Sequence, residues 1–245
     1  MFDEFPKVRR TLPPEYAAIH EKQSKINRLG GSPATNLSRR MEAWMHRQVA
    51  ADVSCTGVAR STLEIGAGSL NHLIYEPASS PYDIVEPAEY LLALSSPVQR
   101  RRMRSFLRDI ADIPLSDRYE RIISIASLEH ICNLPEVIAR SGILLSSGGQ
   151  FRAAIPAEGT VLWHLAQGLT TGLEFRIKYK LDYGVTMQHE HVNTAEEVED
   201  VLHYFFSDVK SKVFGLTRSL CLYQFLRCTH PNLERCNEYL REVSD

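Results

Sequence analysis

The chain has 245 residues, 44% of them hydrophobic and 24% charged, with a formal net charge of −2. That balance excludes a disordered or fibrous chain and gives none of the global basic field that nucleic-acid binders carry, so no nucleic-acid partner is expected. No run approaches the roughly 20 apolar residues that span a bilayer, and the opening MFDEFPKVRR lacks the apolar core of a secretory signal.

The five cysteines, Cys55, Cys132, Cys221, Cys228 and Cys236, are odd in number and contain no CxxC pair. This argues against a disulfide framework and a zinc knuckle, and a reduced cytoplasmic setting without membrane insertion is the simplest expectation. Residues 1–35 are polar and carry Pro6, Pro13, Pro14, Gly30, Gly31 and Pro33, which reads as loops with one short helix. Met41, Trp44, Met45 and Val49 then fall at i, i+3, i+4 and i+8, so a helix is predicted over 38–50. Its stripe suits docking onto the main domain; the sharper alternative is a lid hinged at Gly30–Gly31. Residues 1–50 are accordingly read as an N-terminal accessory or lid segment.

Between 61 and 155 strand-like and helix-like patterns alternate. Thr62–Ile65, Tyr82–Val85, Met103–Leu107, Arg121–Ala126 and Phe151–Ile155 read as strands. A helix start is expected at Asn71–Tyr75 and a helix at Pro135–Leu145, with proline in the first turn where its missing N–H is tolerated. Ser146–Gly149 reads as a turn. Strands alternating with helices predict a parallel sheet covered on both faces. Residues 156–192 are less regular, with a helix expected over Thr160–Gln167. Thr194-Ala195-Glu196-Glu197 is a capping box, and Val198, Val201, Leu202 and Phe205 follow at helical spacing. Val209–Phe214 and Leu220–Leu226 are two late β runs, and 232–245 a polar helical tail. The expected fold is therefore α/β: a doubly wound, mostly parallel seven-stranded sheet with helices on both faces and an antiparallel strand pair at one edge.

The chemistry concentrates in Leu63-Glu64-Ile65-Gly66-Ala67-Gly68-Ser69-Leu70. A buried strand runs into glycines, which let backbone approach a ligand without an intervening Cβ. Glu86 stands twenty residues after Gly66, at the end of YDIVE, where a carboxylate accepts hydrogen bonds from ribose hydroxyls. The pair points to a nucleoside bound at strand ends. Asn71 occupies the place of the third glycine of a dinucleotide fingerprint, which weakens a nicotinamide-binding reading.

Over residues 61–156 the chain resembles the class I S-adenosylmethionine-dependent methyltransferases, in particular the small-molecule branch that includes ubiquinone-biosynthesis-like enzymes. LEIGAG is similar to their first motif, YDIVEP to the second, RDIADIP to the GDAxxLP segment, YERIISIASLEHI to the fourth-strand motif and LLSSGGQFRAAIP to LKPGGxLxxxxP. Arg108 stands where a glycine often precedes the third motif's Asp. The resemblance implies S-adenosylmethionine as cofactor, held by Glu64, Gly66, Ala67 and Gly68, by Glu86 and Pro87, by Asp109 and Ile110 at the adenine, and by Ala126 and Ser127. It makes 51–245 the donor-binding methyltransferase domain, with a substrate-side insertion at about 156–192.

The acceptor is a small molecule in this reading, and its site falls around Gln188-His189-Glu190-His191-Val192. His191, His189 and His130 of the LEH triplet are the candidate catalytic residues, since imidazole titrates near neutral pH. Substrate contact and structural hydrogen bonding stay open for each. No metal is expected, because HxH alone lacks further ligands. Glu158, just past the fifth strand, reads as an ordinary loop carboxylate or an acceptor contact. Arg100, Arg101, Arg102, Arg104 and Arg108 form either a solvated face or a site for a phosphorylated acceptor. Leu12-Pro13-Pro14-Glu15-Tyr16 is similar to the PP[YF] element of nucleic-acid amino-methyltransferases but lies far from the fourth strand, where that element belongs. HEHVNTAEEVEDVLHYFF and LCLYQFLRC resemble methyltransferases found with bacterial surface-polysaccharide genes, which implies a sugar or nucleotide-sugar acceptor methylated at O or N. The alternatives are a nicotinamide-dependent oxidoreductase and a non-catalytic module that binds the donor without turnover.

Overall fold

The computed structural model describes residues 2–17, 19, 36–158, 160 and 179–244. The expected hinge at Gly30–Gly31 and nearly all of the expected helix over Thr160–Gln167 lie outside them. Seven strands form one sheet: β1 (Thr62–Ile65), β2 (Tyr82–Val85), β3 (Ser105–Leu107), β4 (Tyr119–Ile125), β5 (Leu145–Pro156), β6 (Phe206–Thr217) and β7 (Leu220–Pro231). Their order is β3-β2-β1-β4-β5-β7-β6. β1 to β5 pair parallel, while β7 pairs antiparallel with both β5 and β6. The helices are α1 (Asn36–Ser54), the single turn α2 (Pro97–Arg100), α3 (Leu134–Leu144), α4 (Tyr183–Glu190), α5 (Ala195–Phe205) and α6 (Leu233–Ser244).

Side-chain alternation along the strands explains the two layers. Leu63, Ile122, Phe151, Ala153 and Leu226 face one way and meet Leu134 and Ile138 of α3, Val198, Val201, Leu202 and Phe205 of α5, and Cys236 of α6. Ile84, Ile123, Ala154 and Phe225 face the other way, against Met45 and Val49 of α1 and Leu70 and Leu73. β1 is buried at all four positions, as a central parallel strand covered on both faces must be. α5 begins at the expected box: Thr194 Oγ1 accepts from the Glu197 N–H, and Glu197 Oε2 accepts from the Thr194 N–H at 2.7 Å.

The second layer also buries charge. Arg121, fully buried on β4, donates to Glu76 Oε2 at 2.7 Å, and its Nε lies 2.9 Å from Asp52 Oδ2 at the end of α1. Arg152 of β5 donates to the Val49 carbonyl at 2.8 Å and lies 3.3 Å from Asp52 Oδ1. His72 shares Glu76 at 2.8 Å and meets His46 Nδ1 at 2.9 Å. Desolvation lowers both imidazoles, His46 to about 3, so neither is charged at neutral pH.

Residues 2–17 strap across the opposite side. Phe2 sits among Tyr204, Phe205 and Tyr239, and Lys7 Nζ donates to the Val192 carbonyl at 2.9 Å. Leu12 to Tyr16 belong to this strap, and Tyr16 Oη accepts from the Asp182 N–H at 3.1 Å.

The structure departs from the sequence expectation at several elements. α1 extends past 38–50 at both ends. Asn71–Tyr75 is a 3₁₀ turn entered through a left-handed Leu70 (φ 65°) and ended by the extended Glu76, so the expected helix start stays a short turn. Ser146–Gly149 is an irregular, bulged part of β5: pairing jumps from Tyr119 opposite Leu145 to Arg121 opposite Gln150, with Gly148 at φ 73°. β6 and β7 run 12 residues each, well beyond the apolar stretches that signalled them. α4 lies in the stretch read as irregular.

Candidate active site

β1 ends at Gly66, whose N–H donates to the Val85 carbonyl at 2.8 Å. Gly66 takes φ +73°, and a Cβ there would lie 2.5 Å from Ser127 Cβ and closer still to its hydroxyl. Only glycine lets the β1 loop touch the loop after β4 in this way. Gly68, at φ +54°, has open space where its Cβ would be. Its N–H donates to Glu86 Oε2 at 2.8 Å, and Glu86 Oε1 accepts from the Ala88 N–H at 2.8 Å. Glu86 is only 5% exposed. A carboxylate held by two backbone donors keeps lone pairs for ligand hydroxyls.

The structure therefore brings Gly66, Ala67, Gly68, Glu86 and Ser127 together at the carboxyl ends of β1, β2 and β4. This is where strand order reverses, the place where ligands settle in open α/β sheets. Ala126, exposed at φ 48°, anchors its loop by donating to the Ala154 carbonyl at 2.7 Å. Asp109 is exposed just past β3 and caps the turn at Ile110–Asp112, accepting from the Ala111 N–H at 2.9 Å, while Ile110 is buried. Pro87 is exposed beside Glu86.

Glu64 is placed differently. It lies in the α1 layer, accepts from the Tyr82 hydroxyl at 2.8 Å, and is pushed up to about 8 by burial, so it is neutral at pH 7.

A second cluster stands beside the loop. His191 Nδ1 lies 2.5 Å from Glu158 Oε1, and the His130 and His191 rings meet edge to face at 4.6 Å. His130 Nδ1 faces the Glu190 carbonyl at 2.8 Å, and its Nε2 lies 3.9 Å from Glu129 Oε1. Glu129 is 3% exposed; burial raises it to about 7 against the opposing pull of His191. Burial lowers His130. Burial would also lower His191, but the bond to Glu158 and the charges of Glu158, Glu129 and Glu190 outweigh it and raise the imidazole. Arg9 fixes this corner by donating to the carbonyls of His130, His189 and Glu190 at 2.8–3.0 Å. His189 does not join the cluster; its Nδ1 faces the Arg10 carbonyl. Glu129, His130 and His191 each offer a donor atom, all within 4.8 Å of one another.

Sequence reasoning left Glu129 and Arg9 out of the site and read Glu158 chiefly as a loop residue. Nothing local in the chain signals that 158 meets 191. Four arginines of the cluster have partners within the fold: Arg100 bonds the Ser95 and Leu92 carbonyls, Arg102 those of Leu73, Glu76 and Pro77, Arg104 bonds Asp83, and Arg108 pairs with Glu89 on the exposed surface. Structural anchoring thus accounts for Arg100, Arg102 and Arg104, and Arg108 belongs to a solvated ion pair.

No protein-family profile matches the chain, and no curated protein sequence does. Solved structures do match in shape. The fold is that of the class I S-adenosylmethionine-dependent methyltransferases. An S-adenosylmethionine-dependent methyltransferase from Thermotoga maritima, described as a possible histamine N-methyltransferase, superimposes with a TM-score of 0.54 at 14% identity, covering 86% of this chain and 95% of its own. The N-methyltransferase NodS from Bradyrhizobium japonicum, bound to S-adenosylhomocysteine, gives 0.54 at 16% identity, covering 85% and 98%. A possible exported protein from Bordetella parapertussis gives 0.55 at 12% identity, covering 80% and 68%. Among the described residues no helix is long and apolar enough to cross a membrane.

Proposed function

We propose that this protein transfers the methyl group of S-adenosylmethionine to an oxygen or nitrogen atom of a small molecule, with a sugar or nucleotide-sugar as the acceptor class. The observation that carries the reading is the loop Gly66–Gly68: packed on Ser127, open at Gly68 and tied to the buried Glu86 at the switch point of the sheet. The donor supplies a methyl on a sulfonium, already bonded to a good leaving group. The protein then needs mainly to orient two substrates and exclude water, and orientation alone contributes about 7–11 kcal/mol in favourable systems. Glu86 meets the ribose hydroxyls, and Asp109 and Ile110 the adenine.

The acceptor lone pair forms the new bond to the methyl carbon as the carbon–sulfur bond breaks, and the acceptor proton must leave. His191 is the base in this reading. Glu158 lies at ion-pair distance from its Nδ1 and raises its basicity, leaving Nε2 to accept the proton. His130 packs beside it; His189 contributes through the strap contact. Residues 51–245 form the donor-binding domain with an acceptor-side insertion at about 156–192, and 1–50 an accessory segment. A cytoplasmic setting is supported by the unpaired Cys221, Cys228 and Cys236, all buried.

Against a nicotinamide enzyme stand Asn71 and a sheet order that departs from the 3-2-1-4-5-6 of dinucleotide-binding folds. One observation favours a second mechanism at the same site. Among the described residues Glu129 Oε2 is buried without a hydrogen-bond partner, beside His130 and His191, which suits a divalent cation that acidifies an acceptor hydroxyl. Chelator-treated protein that keeps its full rate rejects it.

Calorimetric titration with S-adenosylmethionine, S-adenosylhomocysteine and NAD tests the main reading. Micromolar binding of both adenosyl ligands and none of NAD is expected, with Glu86→Ala weakening the donor by about 1–3 kcal/mol. Binding of NAD alone, or an unchanged donor affinity in Glu86→Ala, rejects the assignment. Donor binding without a methylated product from any candidate acceptor leaves a non-catalytic module.

A further inference from the structure

A cavity of about 640 Å³ lies between α1 and β6, lined by Arg40, Trp44, Arg47, Gln48 and Phe214 among others. Positions 40, 44, 47 and 48 follow helical spacing, so one stripe of α1 carries two arginines and a tryptophan toward the sheet edge. Trp44 meets Phe214 edge to face at 5.5 Å. The sheet side continues the charge. Cross-strand partners share a face, and Arg152 of β5, Arg227 of β7 and Lys210 of β6 stand in one row. Lys212 and Phe225 form the next row, and Phe214 and Tyr223 the one after. The face is that of α1, because Arg152 reaches the Val49 carbonyl and lies over the Phe225 ring at 4.9 Å.

Like charges side by side on a sheet are unfavourable unless something answers them. Asp52 answers Arg152 at 3.3 Å, and Asp208 lies 3.9 Å from Lys210. Arg227 Nε is buried with no hydrogen-bond partner among the described residues. Burial and the neighbouring Arg121 and Arg227 together bring Arg152 down to about 10, with Asp52 opposing. In a chain of net charge −2 this concentration of cations is local.

Strand pairing leads from the groove toward the acceptor cluster. Tyr223 pairs with Phe214 on one side and with Pro156 on the other, and Glu158 follows two residues later.

We infer that this groove binds the diphosphate group of the acceptor, with Arg40 and Arg47 meeting the phosphates, Lys212 and Arg227 on the same sheet face adding to the positive field, and Trp44 and Phe214 meeting a flat ring carried on them. Several cations spread along a trough match a group of two linked phosphates better than a single carboxylate. The inference deepens the methyl-transfer reading and depends on it only for the word acceptor.

Calorimetry with UDP, ADP and inorganic pyrophosphate, in the presence of S-adenosylhomocysteine, tests it. Binding in the micromolar to low-millimolar range is expected, falling with salt, and weakened about tenfold or more by Arg47→Glu and by Lys212→Glu. Both side chains are exposed, so the variants should fold and bind S-adenosylhomocysteine as the parent does. Arg101→Glu, exposed elsewhere, should leave diphosphate binding unchanged. Tighter binding of either nucleotide than of pyrophosphate assigns the aromatic wall to a base; equal binding assigns the groove to the diphosphate alone and removes the aromatic wall from the inference. No binding of any probe by protein that binds S-adenosylhomocysteine, or binding untouched by both charge reversals, overturns the inference and leaves methyl transfer standing. Diphosphate binding without any adenosyl-ligand binding overturns the methyl-transfer reading instead.

Discussion

Gly66→Ala isolates the contact on which the proposed donor site is built. Two effects act on the new methyl group. The backbone at φ +73° disfavours any L side chain, by roughly 1–2 kcal/mol. The Cβ would also stand 2.5 Å from Ser127 Cβ, well inside contact distance, so one loop must move, and crowding of this kind costs about 1–3 kcal/mol. A loss of about 2–5 kcal/mol is expected, read as a melting temperature lowered by about 2–4 °C for each kcal/mol in a chain of this size. Because Gly66 and Ser127 come from β1 and β4, the displacement should also separate the loop from its partner and weaken S-adenosylhomocysteine binding at least tenfold, about 1.4 kcal/mol. Adding Ser127→Gly removes both clashing atoms and leaves only the φ penalty. The double variant should therefore regain part of the stability, with a coupling of about 0.5–3 kcal/mol by melting and calorimetry on all four proteins. Additive single effects, or a Gly66→Ala protein as stable as its parent, would refute the reasoning that Ser127 sets the loop's position.

Two further outcomes follow from the titrating groups. His191 is raised above its ordinary range, with the Glu158 contact outweighing burial, so the acid limb of kcat/KM should lie above pH 6.5. Glu158→Gln should move that limb to lower pH, whereas His191→Ala should lower the rate by about 10²–10⁴-fold at the optimum; a limb unmoved in Glu158→Gln removes the dyad. Glu64 is raised to about 8 by burial, partly opposed by the Tyr82 bond, so the folded state holds its proton more tightly than the unfolded chain does. Its contribution to stability is complete below about pH 4.5 and is lost as pH rises through about 8. Glu64→Gln keeps an acceptor for Tyr82 and does not titrate. Denaturant unfolding should show the variant gaining on the parent across that window by on the order of a few kcal/mol, and parallel stability curves would show that Glu64 is not neutral in the folded protein.

The sequence revealed most where physics is local. Thr62–Ile65 and Tyr82–Val85 were legible as strands to the residue, because short apolar runs bounded by Gly66, Pro81 and Pro87 leave little choice of boundary. The glycine loop and Glu86 were legible for the same reason: a left-handed turn and a carboxylate at a fixed spacing. β6 was read too short because Ser207, Asp208 and Gly215 bound its alternating stretch, and β7 because Arg227 follows Leu226; only the cross-strand register shows that Lys210, Lys212 and Arg227 share the α1-facing side. α4 was missed because Tyr183, Val185 and Met187 make no helical stripe; it is positioned by its Asp182 cap and by contacts with residues 9 and 10. Arg121 opened an apolar run and gave no hint that it would be fully buried between Glu76 and Asp52. The His191–Glu158 pair joins positions 33 apart, across an intervening stretch, and no local pattern encodes it.

The proposed methyl transfer would require two substrates held in a fixed relation, and the fold holds the two candidate sites with long-range ties. Buried ion pairs add little net stability over an apolar core, but breaking one strands a charge at a loss of about 3–5 kcal/mol. Arg121 and Arg152 therefore specify where α1 lies more than they strengthen the fold: both reach Asp52 and the Val49 carbonyl, which sets the register of α1 against β4 and β5. That helix carries Met45 beneath Ala67 and Leu70 of the donor loop on one side and Arg47 along the groove on the other. On the opposite flank Arg9 binds three carbonyls, those of His130, His189 and Glu190, so the strap fixes the backbone of the loop after β4 and the end of α4 together. Loosening the Asp52 tie should disturb the relation of α1 to the sheet, whereas loosening the Arg9 tie should disturb the acceptor cluster itself, because all three carbonyls that Arg9 binds belong to that corner.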